Sequence, residues 1–120
     1  MKYQFTTLMN QISKSSTLGT TGVSGYRRLG FQFKLSNVVS GNGIFKVQGT
    51  TNGTDWTFLA MIDNLTNTNS QNLTRVLSKT LSANSSVLMW TDEGLSLRAI
   101  RVSATITTDG SYSAYLMASE

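Results

Sequence analysis

Alternation of apolar and polar side chains with a period of two residues is the feature that most constrains the fold of this chain. It is clearest over 29–39, where Phe31, Phe33 and Leu35 alternate with polar residues. This spacing places every second side chain on one face of a strand, whereas apolar residues at helical spacing do not persist anywhere. The pattern predicts about eight β-strands, in the segments 3–8, 29–39, 44–49, 55–62, 72–81, 86–91, 97–107 and 111–118.

Short turns separate several of these segments. Asn42-Gly43 and Asn52-Gly53 bracket the strand 44–49, and Asp109-Gly110 separates the last two strands. Because such dipeptides tolerate the positive φ angles of tight hairpin turns, they predict a three-stranded meander early in the chain and a hairpin at its end. Short strands with frequent turns are typical of an antiparallel β-sandwich, and we favour a jelly roll over an immunoglobulin-like order.

One domain over residues 1–120 accommodates all of these strands, since 120 residues bury enough surface for a single core. The segment 9–25 does not fit the pattern, because it is rich in Ser, Thr and Gly and poor in apolar residues. We interpret it as a flexible arm or a long loop, and therefore as a candidate contact element. The polar segment 63–71 is expected to be a loop between the two layers.

The composition argues against catalysis. Cysteine and histidine are both absent, which removes a thiol nucleophile, thiolate metal ligands and the commonest general base near neutral pH. The segment 63–69 offers oxygen donors but lacks the clustered Asp residues of a calcium site. We predict a protein that is not an enzyme, with no catalytic residues, no metal and no cofactor. The carboxylates are Asp55, Asp63, Asp92, Glu93, Asp109 and Glu120.

The charge pattern also limits the partners. The net charge is +4, but the ten Lys and Arg residues are scattered and Arg27-Arg28 is their one adjacent pair. Basic residues interleaved with aromatic ones, which a nucleic-acid platform needs, are missing from the sequence, so no nucleic acid is expected. No window is long and apolar enough to cross a bilayer, and no membrane partner is expected.

Three segments together resemble a known group of proteins. Residues 47–59 contain a Val-x-Gly-Thr-x-Asn-Gly-Thr-x-Trp hairpin, residues 23–33 precede it, and residues 100–105 supply a late Ile-Arg-Val strand. These motifs resemble small β-sandwich structural proteins of tailed bacteriophages, and a similar hairpin occurs in discoidin-like jelly rolls. The resemblance implies a virion component, a capsid decoration or cement subunit or else a tail or fibre subunit, assembled in the host cytoplasm. It also implies contacts with the major capsid protein or other virion subunits, and a homo-oligomer for which a trimer is favoured.

Candidate contact residues follow from this interpretation. Four residues are candidates for partner contacts: Lys14 in the arm, and Tyr26, Arg27 and Arg28 near the start of the strand 29–39. Arg and Tyr are enriched at protein interfaces. The alternative is that Tyr26 belongs to the core and the arginines are solvated.

The two tryptophans suggest a different class of function. Trp56 and Trp90 are candidates for sugar stacking in a carbohydrate-binding module, which is the alternative function. For Trp56 the competing interpretation is that its indole ring fills the core beside a turn built on Asn52 and Gly53.

Overall fold

The computed structural model describes residues 3–38, 41–63, 75–91, 97–106 and 109–120, and these residues contain strands but no helix. The described part of the chain forms eleven strands, more than the eight predicted. Two of the predicted segments each divide into two shorter strands, and a further strand lies in the segment 9–25, where none was predicted. The strands are β1 (Tyr3–Ile12), β2 (Ser16–Gly22), β3 (Arg28–Ser36), β4 (Gly43–Thr50), β5 (Thr57–Phe58), β6 (Met61–Asp63), β7 (Arg75–Val76), β8 (Lys79–Leu81), β9 (Ser85–Thr91), β10 (Ala99–Ile106) and β11 (Ser111–Ser119).

The strands form two antiparallel sheets that pack as a sandwich, which confirms the predicted fold class. The first, sheet A, has the strand order β1-β11-β3-β9-β6-β7. The second, sheet B, has the order β2-β10-β4-β5, and β8 also pairs with β4. On β3, β4, β9 and β10 the buried apolar side chains alternate with more exposed residues and face the other sheet, as the period of two residues predicts.

Most connections cross from one sheet to the other. The chain passes from β1 in sheet A to β2 in sheet B, back to β3 and again to β4, and β10 and β11 also lie in different sheets. The predicted final hairpin is therefore wrong, and so is the first half of the predicted early meander, because β3 and β4 lie in different sheets. The second half of the meander is confirmed, since β4 pairs with β5 across the turn at Asn52-Gly53.

The segment 9–25 is ordered as strand and is not a flexible arm or a long loop. It contains the end of β1 and all of β2, and Met9 is buried at 2% exposure. Backbone pairing with β11 and β10 holds these residues, so few apolar side chains are needed at the sheet edges. Residues with positive φ, Gln11 at 52° and Gly19 at 75°, allow the irregular pairing there.

Of the predicted loop 63–71, Asp63 ends β6 and the rest lies outside the described residues.

A row of aromatic rings joins the two sheets at the centre of the core. Phe33 of β3 stacks on Phe45 of β4 with ring centroids 4.8 Å apart, and Phe45 contacts Tyr112 of β11 at 6.0 Å. The Tyr112 hydroxyl lies 2.8 Å from the carbonyl oxygen of Asp109, at the turn into β11. Burial, and secondarily the charge of Asp109, raise the pKa of this phenol above its usual value.

Candidate interaction surfaces

The outer face of sheet A exposes an apolar surface. Among the described residues, Phe5 is 76% exposed, and Tyr3, Leu88 and Met117 are each at least 40% exposed on the same face. The half-buried rings of Trp90 and Tyr115 lie between them. Soluble monomers rarely expose contiguous apolar patches of more than a few hundred Å², so such a surface indicates an interaction site.

Strand register places a glycine at the centre of this surface. Phe5 pairs with Met117, Met117 with Gly30, and Gly30 with Trp90, so the four residues form one row across β1, β11, β3 and β9. Because Gly30 has no side chain, the row has a gap between the indole ring and the methionine. Two adjoining depressions, with volumes of about 440 and 370 Å³, meet there. We call this feature the Gly30 groove, lined by Arg28, Gly30, Leu88, Trp90, Met117 and Phe5.

The fold does not need a glycine at position 30. Gly30 is not among the glycines with positive φ, so its backbone conformation is open to any residue. A Cβ atom there would lie 3.6 Å from the carbonyl oxygen of Met117, which is an ordinary contact distance. Neither backbone strain nor packing explains the glycine, and its effect is to keep the groove open.

The charged residues of the four strands around the groove are basic. Arg28 lines it at one end, and Lys34 is exposed further along β3. Strands β1, β3, β9 and β11 contain no acidic residue. A partner that covers this face would therefore gain from carboxylates placed opposite Arg28.

The predicted contact residues separate in the structure. Arg28 and Trp90, predicted for two different functions, lie together in the Gly30 groove. Tyr26 is only 8% exposed and belongs to the core, so the alternative interpretation holds for its ring. Arg27 is exposed beside the groove, and its backbone N–H donates to the carbonyl oxygen of Ser119 at 2.9 Å. Lys14 is exposed between β1 and β2, at the opposite end of the sheet from Arg28.

Trp56 lies on the outer face of sheet B and not in the core, contrary to one of the two interpretations of its sequence motif. The turn before it is as predicted: the Asn52 side-chain oxygen accepts from the N–H groups of Thr54 and Asp55 at 2.9 Å, and Gly53 has a φ of 87°. After this turn, Trp56 lies on the solvent side of sheet B, where its side chain is half-buried.

Cationic side chains cover the rings on sheet B. The Arg101 guanidinium lies 4.2 Å from the centroid of the Trp56 ring, and Lys46 Nζ lies 5.2 Å from that of Phe58. Arg101 Nε also donates to the side-chain oxygen of Gln48 at 2.8 Å. The sequence does not predict this surface, because Arg101 is far from Trp56 along the chain. Only the register of β10, β4 and β5 brings the two residues together.

The described residues show neither a metal site nor a membrane-spanning helix. They contain no group of three or more His, Cys, Asp or Glu side chains close enough to hold a metal ion. They also contain no helix whose length and apolarity would let it traverse a membrane.

Comparison with known proteins identifies a structural relative. No family model and no curated protein matches the sequence. The crystal structure of the SPBc2 prophage-derived protein YomS matches with a TM-score of 0.69 and 15% sequence identity, over 98% of this chain and 92% of that one. At this low identity the match shows that the two chains share a fold over nearly their full lengths.

Proposed function

We propose that this chain is a structural subunit of a tailed-phage particle, a capsid decoration or cement protein that acts through protein-protein contacts. The observation that carries the proposal is the apolar outer face of sheet A with the Gly30 groove at its centre. The prophage origin of YomS supports a phage-related role for a chain of the same fold. The motif resemblance to phage β-sandwich proteins points the same way.

The groove has the properties of an interface anchor site. Stable protein interfaces depend on a few residues, enriched in Trp, Tyr and Arg, that become fully buried at the centre. The Gly30 groove has two residues of these types, Trp90 and Arg28, in its lining. An apolar side chain that projects from the major capsid protein or another virion subunit would fill the gap above Gly30, and a carboxylate beside it would pair with Arg28.

Catalysis is not part of the proposal, because the described carboxylates have structural partners. Asp63 accepts from Lys79 Nζ at 2.6 Å, and Asp55 accepts from the Asn52 side-chain amide at 2.7 Å. Asp109 accepts from the backbone N–H of Gly41 at 2.8 Å. With no histidine or cysteine in the chain, we propose a binding protein that needs no cofactor.

A charge placed in the groove tests the proposal. Gly30→Glu would fit the backbone but fill the groove with a carboxylate, which burial against a partner would strongly disfavour. We expect the wild type to co-sediment with phage particles assembled without it, and Gly30→Glu to lose at least tenfold in affinity, equivalent to about 1.4 kcal/mol.

Thr105→Glu is the matched control, because it adds the same charge to an exposed position on sheet B. It should bind particles like the wild type, and circular dichroism should show all three proteins folded. Equal binding by Gly30→Glu and wild type would remove the groove from the proposal, and failure of the wild type to bind any virion would reject the function. Gold-labelled antibodies on intact particles would distinguish a head position from a tail or fibre position.

A carbohydrate-binding module is the second candidate. The half-buried Trp90 ring lies beside Gln32 and Arg28, and an aromatic ring next to polar side chains is the arrangement that binds sugars. Trp56 is less suited, because Arg101 already covers one of its faces. Retention of the protein on a glycan array, lost in Trp90→Ala but not in Trp56→Ala, would favour this candidate over the virion role.

A further inference from the structure

The outer face of sheet B carries a compact set of cations and rings. Lys46 on β4 and Arg101 on β10 point to this face together with Trp56 and Phe58. The strands of sheet B contain no acidic residue, and the nearby Asp55 carboxylate, which accepts from Asn52, is one negative charge against the two positive charges of Lys46 and Arg101. The face is therefore positively charged where the rings lie.

The Arg101 guanidinium is held in place by two contacts and can bind an anion and a planar ring at once. Its central carbon lies 4.2 Å from the centroid of the Trp56 ring, and its Nε donates to the Gln48 side-chain oxygen at 2.8 Å. The bond to Gln48 uses one of the five N–H donors of a guanidinium, and the others lie along the edge of the plane. The edge suits a phosphate, and the exposed side of the plane suits a stacked base.

Register places a second cation within reach of the same ligand. Arg101 is directly opposite Gln48, and Lys46 is two residues further along β4, opposite Ser103. Diagonal neighbours of this kind have Cα atoms about 7 Å apart, which long side chains span easily. Lys46 and Arg101 therefore face one short segment of a bound chain.

From this arrangement we infer that the outer face of sheet B binds single-stranded nucleic acid. Stacking platforms combined with backbone-tracking cations are the general means by which proteins bind single strands. The sequence argued against nucleic acid because basic and aromatic residues are not interleaved along the chain. In the fold, strand pairing interleaves them.

Binding is to be measured by the fluorescence anisotropy of a labelled oligothymidylate titrated with the full chain at low salt. Trp56→Ala should lower the affinity about tenfold, because it removes the ring that holds the Arg101 guanidinium in place beneath the bound base. Trp56→Phe keeps a ring and should retain most of the affinity. Arg101→Gln should weaken binding and reduce the slope of log affinity against log salt by about 0.7, the contribution of one phosphate contact.

Lys34→Gln is the control, because it removes the same charge from the exposed face of sheet A. It should leave the affinity close to that of the wild type. The inference is wrong if the wild type does not bind, if Lys34→Gln costs as much as Arg101→Gln, or if an abasic phosphodiester of equal length binds as tightly as the oligothymidylate. None of these results depends on the virion role, since the Gly30 groove is on the other face of the sandwich.

Discussion

Position 43 illustrates how a single residue is chosen by its surroundings. The sequence indicated Asn42-Gly43 as a turn, yet Gly43 is the first residue of β4 and is not among the residues with positive φ. A Cβ atom there would lie 2.0 Å from Cε1 of Tyr112. The glycine is required because the Tyr112 ring occupies the space that a Cβ atom would fill.

Gly43→Ala should therefore destabilise the fold. The buried Tyr112 ring has to move, and overpacking of this kind costs about 3 kcal/mol. Urea unfolding followed by circular dichroism would measure the change. Gly30→Ala is the matched control, because its Cβ meets only an ordinary contact and should leave stability unchanged or raise it by about 0.5 kcal/mol. Equal unfolding midpoints for the two variants would contradict the packing argument.

At the scale of elements, an ion pair links the two sheets at one side of the sandwich. Lys79 on β8 of sheet B donates to the carboxylate of Asp63 on β6 of sheet A at 2.6 Å. The Asp63 side chain is 6% exposed and that of Lys79 is 25% exposed. A carboxylate so deeply buried depends on its partners, because an unpaired buried charge is costly.

Lys79→Met should lower the free energy of unfolding by about 2 kcal/mol, less than for a fully buried pair because water reaches the ammonium group. Adding Asp63→Asn should cost less than the sum of the single changes, with a coupling of about 1 kcal/mol in a double-mutant cycle. Lys34→Met, on an exposed strand position, serves as the reference. If Lys79→Met proves no more damaging than Lys34→Met, the ion pair does not stabilise the contact between the sheets.

The elements differ in how far the sequence predicts them. Strand β3 is clear because Phe31, Phe33 and Leu35 all face the core, so burial produces strict alternation. Strand β2 was missed because an edge strand with few buried side chains is held by its backbone pairing with β10. The sheet to which each strand belongs was also missed, since a turn dipeptide does not encode whether the next strand pairs with the last one or crosses to the other layer.

At the scale of the whole molecule, the candidate surfaces arise from strand order. The sequence indicated Arg28 and Trp90, but for unrelated functions. It gave no sign that Gly30 lies between Trp90 and Met117 in the sheet. The chain order β3, β9, β11 differs from the spatial order β11-β3-β9, and only the latter makes the groove. Periodicity indicates which side chains share a face of a strand, whereas neighbours across a sheet depend on long-range pairing.

The shape of the groove also bears on self-association. We propose that the groove of one subunit receives a projection of the next and that the contact is repeated head to tail. A contact of this kind can close into a ring, here of three subunits. Multi-angle light scattering of the isolated protein should give a mass of three chains for the wild type and for Thr105→Glu, but of one chain for Gly30→Glu. A wild-type monomer at micromolar concentration would contradict the trimer, and the groove would then bind a different virion subunit. A dimer that Gly30→Glu does not affect would show that the chain self-associates through another part of its surface.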